Sequence, residues 1–259
     1  MFFTISTSEK KELFRNIFQV LKKCSDNVNI SFKTDFIFIQ GMDSSHVCLY
    51  EIKLCDKWFN DTYECKEPTV ISVNAGVIFN ILSILISIEE EIIISIDDSD
   101  STIVIATKSG SRQFGVPMCN TDSENELDIP EIEYDYEWSI ISRELIKTMG
   151  ELALFGENIN IACTENEIIL KASGVSGDMT AKINADDLES YETVEEIEQY
   201  NTRYSLKLLN KYCLSTNISK IVKVSMKKEN PIKILYDMDN AYISFYLAPL
   251  IDDDDESPL

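Results

Sequence analysis

The chain repeats itself, and no other feature constrains its fold as tightly. Residues 28–52 (VNISFKTDFIFIQGMDSSHVCLYEI) lie over residues 159–183 (INIACTENEIILKASGVSGDMTAKI) without a gap, at an offset of 131. Identities fall at Asn29/Asn160, Ile30/Ile161, Ile37/Ile168, Ser45/Ser176 and Ile52/Ile183, with apolar matches between them. A second pair, residues 92–107 over 222–237, aligns at an offset of 130. Two independent pairs at nearly one offset imply a duplicated unit of about half the 259 residues, and that length suits two domains of about 100–150 residues each.

Each half reads as helix, strands, helix, strands. Period-two alternation of Ile, Val and Phe predicts strands over 29–32, 36–39, 92–96 and 103–107. Turn chemistry separates the strands, as at Lys108-Ser109-Gly110 and Lys228-Glu229-Asn230-Pro231. Helices are predicted over 8–23, 74–87, 142–154 and 203–214. In the first, Ser8 is the expected N-cap, and Leu13, Phe14, Ile17, Phe18 and Leu21 form an apolar stripe. The halves meet at 119–133, which holds six acids, no base and one proline and reads as an extended connector. Within it Leu127 and Ile129 are isolated apolar residues, suited either to tacking the connector onto a sheet or to docking a partner. The expected organisation is a first domain over 1–118, the connector 119–133, a second domain over 134–250 and an acidic tail over 251–259.

Several function classes fall away. Residues 77–88, the longest apolar run, are broken by Asn80, Ser83 and Ser87 and are too short for a membrane span of about 20 residues. The first 23 residues carry an amphipathic pattern and no secretory signal, so the sequons at Asn29, Asn60 and Asn217 read as chance matches. Seven cysteines without a C-x-x-C suit a reducing compartment and neither a disulfide frame nor a zinc site. His46 is the one histidine, which removes most Ser–His–acid and His-metal readings. An acidic trio, Asp97, Asp98 and Asp100, could ligate magnesium in a phosphoryl-transfer enzyme. The same residues also suit a hairpin turn between two Ile-rich strands, and no Gly-rich phosphate loop supports the enzyme.

A net charge of −22 argues at first against nucleic acid. The charges are sorted, however. The four predicted helices hold ten bases and four acids, +6 in all, which leaves −28 for the rest of the chain. On a helical wheel Lys11, Arg15 and Lys22 fall within about 40° of one another. Phosphates respond to local potential within a Debye length of about 8–10 Å, so cationic helices on an acidic protein permit sequence-independent contact with a duplex.

Four short strings then form a pattern: Met42-Asp43-Ser44-Ser45-His46-Val47, Leu127-Asp128-Ile129-Pro130, Lys171-Ala172-Ser173-Gly174 and Phe245-Tyr246-Leu247-Ala248-Pro249. In this order and spacing the chain resembles the proliferating cell nuclear antigen family, the eukaryotic and viral DNA sliding clamps, over essentially its whole length. The resemblance implies an α+β clamp fold with two similar domains, each with two helices packed on curved antiparallel sheets. It further implies a closed ring of three identical chains lined by helices, in which an edge strand near 112–118 meets one near 175–183 of the next chain.

The implied function is a polymerase processivity factor without catalysis or cofactor, in the nucleus or at a viral replication site. The implied partners are double-stranded DNA, further copies of the chain, DNA polymerase, a clamp loader and motif-bearing clients such as flap endonuclease and DNA ligase. By position the resemblance puts Arg15, Lys22, Lys147 and Lys207 against DNA, while charge and helix position add Lys11, Arg143 and Lys211. It places a client pocket at Met42, His46, Val47, Leu127, Ile129, Pro130, Pro231, Tyr246, Leu247, Ala248 and Pro249. Departures from the family pattern at Asn80, Ser83, Gly150 and Leu214 predict a less basic bore than usual. Glu165 stands where the family carries a modifiable lysine, so that regulation is not expected, and Leu250 replaces a lysine that follows the YLAP string in the family. A clamp-fold subunit of a mixed checkpoint-type ring, or a protein-only scaffold, is the alternative reading.

Overall fold

The computed structural model describes residues 1–60, 62–96, 101–120, 126–194, 200–214 and 218–251. Two compact units divide the chain: Met1–Ile129 with Asp237–Ser244, and Pro130–Tyr236 with the chain from Phe245 onward. The division at Ile129/Pro130 falls inside the stretch read as a connector.

In the first unit the order is β1 (Phe2–Ile5), α1 (Ser8–Cys24), β2 (Asn27–Phe32), β3 (Phe36–Met42), β4 (Cys48–Cys55), β5 (Thr69–Asn74), α2 (Ala75–Leu85), β6 (Ile92–Ile96), β7 (Thr102–Thr107) and β8 (Gln113–Pro117). The second unit repeats it with β9 (Tyr136–Ile141), α3 (Ser142–Leu152), β10 (Asn158–Cys163), β11 (Glu167–Gly174), β12 (Gly177–Asn184), β13 (Ser190–Thr193), β14 (Tyr200–Ser205), α4 (Leu206–Leu208), β15 (Ile221–Met226) and β16 (Ile232–Met238). A last strand, β17 (Ala241–Leu247), contributes residues to both units. The offset of 131 carries β2 onto β10, and that of 130 carries β7 onto the start of β16.

Antiparallel pairing builds two strand sets in each unit. The first unit holds β1-β6-β7-β8 and β4-β3-β2-β5, and the second holds β12-β11-β10-β14 and β13-β9-β15-β16. β8 and β12 each close one end of a four-stranded sheet. Burial follows the alternation that defines the strands: in β7 Ile103, Ile105 and Thr107 point inward while Thr102, Val104 and Ala106 are only half-buried. On α1 the stripe of Phe14, Ile17, Phe18 and Leu21 is buried, and Phe14 meets Phe3 and Phe18 at centroid distances of 6.1 and 5.3 Å. Each such side chain contributes about 1.5–3 kcal/mol by leaving water. The second unit buries Leu145, Met149 and Leu152 of α3 in the corresponding way.

Two local expectations change. Thr7, not Ser8, caps α1, its side chain accepting from the Lys10 N–H at 3.2 Å. The fourth helix starts later than 203, because Arg203 lies in β14 opposite Asn160 and strand pairing runs on to Ser205. Ser205 then caps α4, and the next turn, Leu209–Cys213, widens to a π-helix in which Leu214 N–H reaches Leu209 O at 3.0 Å. The acidic trio Asp97, Asp98 and Asp100, the tail from 252 on and the sequon at Asn217 lie outside the described residues.

Candidate partner groove and DNA-facing helices

The string Met42–Val47 forms a turn between β3 and β4 that is organised by one carboxylate. Asp43 is 2% exposed, and its Oδ1 accepts the N–H groups of Val47 and Cys48, both at 2.8 Å. Its Oδ2 accepts the Ser45 N–H at 3.2 Å and the Ser45 hydroxyl. Burial pushes the Asp43 pKa up, but these bonds to Ser45, Cys48 and Val47 outweigh it and hold the group below its ordinary 3.8. The turn also puts His46 in the left-handed region at φ 56°, its N–H bonded to Asp43 O at 2.9 Å. His46 is thereby turned to solvent, while Val47 is half-buried.

Beside this turn runs a groove of about 1120 Å³ across the outer face of β2, β3 and β5. Met42, His46 and Leu127 line it, together with Asn29, Ser31 and Ser72. Leu127 is 48% exposed, an apolar side chain held open to solvent. Its backbone is tied down by Gln40 of β3, whose Nε2 donates to Leu127 O at 3.0 Å while its Oε1 accepts the Leu127 N–H at 2.7 Å. One residue earlier, Lys33 Nζ pairs with Glu126 Oε1 at 2.7 Å. Where the connector begins, Cys119 N–H bonds Ser72 O of β5 at 2.8 Å. The groove thus brings together Met42, His46 and Leu127 of the expected client residues. Ile129 is half-buried and Pro130 exposed, and neither lines it.

In the second unit Tyr246 is half-buried, with Lys233 Nζ 5.6 Å from its ring centroid, and Pro231, Ala248 and Pro249 are half-buried. Leu247 is corrected: it is fully buried, on the opposite face of β17 from Tyr246, and so is a core residue unable to touch a client.

The cationic set also needs one correction. Lys11 is 3% exposed, and its ammonium donates to Ile88 O at 2.7 Å and Glu90 O at 3.2 Å, just beyond the C-terminus of α2. It ties α1 to the loop between α2 and β6 and is not presented to a phosphate. Arg15 is half-buried, with Nη2 2.7 Å from Asn16 Oδ1. Lys22 is exposed, and its Nζ lies 3.5 Å from the centroid of the Phe79 ring on α2, leaving the charge at the surface. On α3, Arg143 and Lys147 are exposed, the latter 3.9 Å from Glu151. Lys207 is exposed on α4, and Lys211, also exposed, bonds Tyr212 Oη at 2.7 Å.

α2 has no charged residue and exposes Val77, Asn80 and Ile84. Gly150 is exposed on α3 with nothing within 4 Å of an added Cβ, whereas Leu214 is buried, so a charge is simply missing at the first position and replaced by a core side chain at the second.

Sequence reasoning passed over Gln40, Asp43, Lys33 and Glu126. An aspartate followed by two serines is a turn signal that could have exposed Asp43. Gln40 had none, because its partner is 87 residues away. No group of three or more metal-ligating side chains occurs among the described residues. No helix among them is long and apolar enough to cross a membrane.

Family models match both halves: "Proliferating cell nuclear antigen, N-terminal domain" over residues 6–127, and the corresponding C-terminal domain over 128–251. A curated relative, the proliferating cell nuclear antigen of Caenorhabditis elegans, is 27% identical over 253 residues, covering 94% of this chain and 95% of that protein. Among solved structures, the proliferating cellular nuclear antigen of Entamoeba histolytica superposes with a TM-score of 0.86 at 23% identity, covering 96% of this chain and 98% of the other.

Proposed function

The chain belongs to the proliferating cell nuclear antigen family and is thus a DNA sliding clamp, a non-enzymatic processivity factor of replication and repair, and we propose that three copies close head to tail around duplex DNA. The observation that carries the ring is the pair of open edges. β8 and β12 each end a four-stranded sheet, and they contain the residues at which the family resemblance expects subunits to pair. An unpaired edge is a liability in a lone chain, and pairing β8 of one copy with β12 of the next removes both. Such a contact is heterologous and needs a closing rotation, which a threefold ring supplies. Gly115 and Pro117 in β8 suit an edge, since proline brings no N–H to a ladder.

Within the ring Arg15, Lys22, Arg143, Lys147, Lys207 and Lys211 face DNA in our reading. Being on helices, they meet phosphates and read no bases, so binding is sequence-independent, weak and salt-sensitive, as sliding requires. The uncharged α2 makes this lining sparser. Clients dock at the groove of the first unit through Met42, His46 and Leu127, while Val47, Ile129 and Pro130, which do not line it, are assigned to client contact on resemblance alone. Pro231, Tyr246, Ala248 and Pro249 are assigned to client contact on resemblance alone. DNA polymerase, a clamp loader, flap endonuclease and DNA ligase are the clients we assign. Tethering by a closed ring keeps the polymerase at high effective concentration on its template. We place the protein in the nucleus, or at a viral replication site. We assign a reducing compartment from the odd number of cysteines and the lack of a C-x-x-C.

The test is a charge reversal at Arg15, Lys22 and Lys207 together, assayed by primer extension with a loader and polymerase. We expect a several-fold loss of product length that deepens with salt, with the oligomeric state unchanged. Full processivity in that variant would refute the DNA-facing assignment.

A further inference from the structure

We propose that Gln40 is a positioning residue for client binding, a side-chain latch that sets the register of the connector and so presents Leu127 to the client. The inference rests on the client groove proposed above and gives Gln40, which lies in the wall of that groove, the part of holding Leu127 in place.

The geometry is that of a strand pair made with a side chain. The amide of Gln40 captures both backbone groups of Leu127, its carbonyl oxygen taking the N–H at 2.7 Å and its NH₂ giving to the C=O at 3.0 Å. Those are the two bonds that a paired residue exchanges in an antiparallel ladder. Gln40 can do this because it sits on the half-exposed outer face of β3, in register with Glu51 of β4. Glu51 accepts the hydroxyl of Tyr242, so it has a partner of its own.

A latch is needed here. Among the described residues between Pro117 and Tyr136 there is no helix or strand, and ordering each such residue costs about 1–2 kcal/mol of backbone entropy. The Lys33–Glu126 pair tethers the same stretch, but it joins a half-buried and an exposed side chain, both flexible, and cannot fix a register. Among the described residues, only the Gln40 bonds act on the backbone at Leu127, whose side chain stands 48% exposed over the groove.

The chemistry separates this role from general stability. Alanine at 40 removes both bonds. Glutamate has the same reach, but its carboxylate can only accept, so it keeps the bond to the Leu127 N–H and sets a negative oxygen against the Leu127 carbonyl. Protonated glutamate regains a donor and restores both.

The experiment uses the full chain and a fluorescent synthetic peptide carrying one helical turn of aliphatic and aromatic anchors between basic flanks. Affinity is read by anisotropy, and protection of the Leu127 amide by hydrogen exchange. Gln40→Ala should weaken the peptide roughly tenfold, the worth of two neutral hydrogen bonds, and speed exchange at Leu127, with the thermal midpoint unchanged. Gln40→Glu should bind weakly at about pH 7 and recover as the pH falls toward about 4.5, where the new carboxyl takes up its proton, a rise that wild type and Gln40→Ala lack. Leu127→Ala is the control. If it weakens the peptide while Gln40→Ala leaves both affinity and Leu127 exchange at wild-type values, the latch is refuted and the groove survives. If Leu127→Ala and Gln40→Ala both bind like wild type, the groove assignment fails and the latch with it.

Discussion

Replacing Lys11 by Met separates a buried tie between α1 and the loop after α2 from a DNA contact. The ammonium is 3% exposed and donates at 2.7 and 3.2 Å to the carbonyls of Ile88 and Glu90. Methionine keeps most of the methylene stem and offers no donor, so both oxygens lose theirs. Hydrogen bonds from a charged group contribute about 1.5–3 kcal/mol each, and removing a buried charge returns much of that as recovered desolvation. A net loss of about 2 kcal/mol follows, which lowers the midpoint of a chain of this size by about 4–8 °C. Thermal unfolding should be followed by circular dichroism at fixed protein concentration, alongside retention on DNA at 25 °C. The variant should melt early yet hold DNA normally. A wild-type midpoint combined with impaired retention would mean that Lys11 reaches phosphate, and the reasoning from burial would be wrong.

Asp43 makes the turn between β3 and β4 sensitive to acid. Its folded pKa is depressed, so its contribution is complete above the ordinary 3.8 and is lost as pH falls through the lower folded value. Peptide affinity of the wild type, measured across pH 3–6 by anisotropy, should drop at the acid end. Asp43→Asn should cost about 1–3 kcal/mol at neutral pH, because its NH₂ would face the Ser45 donors, and should flatten that acid limb; an unchanged limb would contradict it. Gly150→Arg should stabilise α3 by about 0.5–1 kcal/mol, since the site is exposed and a Cβ meets nothing within 4 Å. It should also lengthen DNA retention and steepen its salt dependence, and a lower melting point would refute the open-surface reading.

The duplicated architecture was legible because it is written in local alternation, which survives substitution of one β-branched residue for another. Strand 92–96 matches β6 at both ends for that reason. The start of the fourth helix was misread because Arg203 to Leu214 keeps a helical apolar spacing, while the strand pairing that claims Arg203 comes from β10, some forty residues earlier. Lys11 was misplaced by the same blindness: a helical wheel puts it beside Arg15, but the loop after α2 that covers it is 77 residues away. Leu247 could have been sorted, since Tyr246 and Leu247 are neighbours in a strand and must face opposite ways. Gln40 offered nothing, because an amide in a strand takes its meaning only from what crosses above it.

Native mass measurement across a wide range of protein concentration tests the central claim most directly. The account predicts one dominant species holding three chains of 29.5 kDa each. A chain that stays monomeric at every concentration would contradict it, since edges that never pair leave nothing to encircle the duplex.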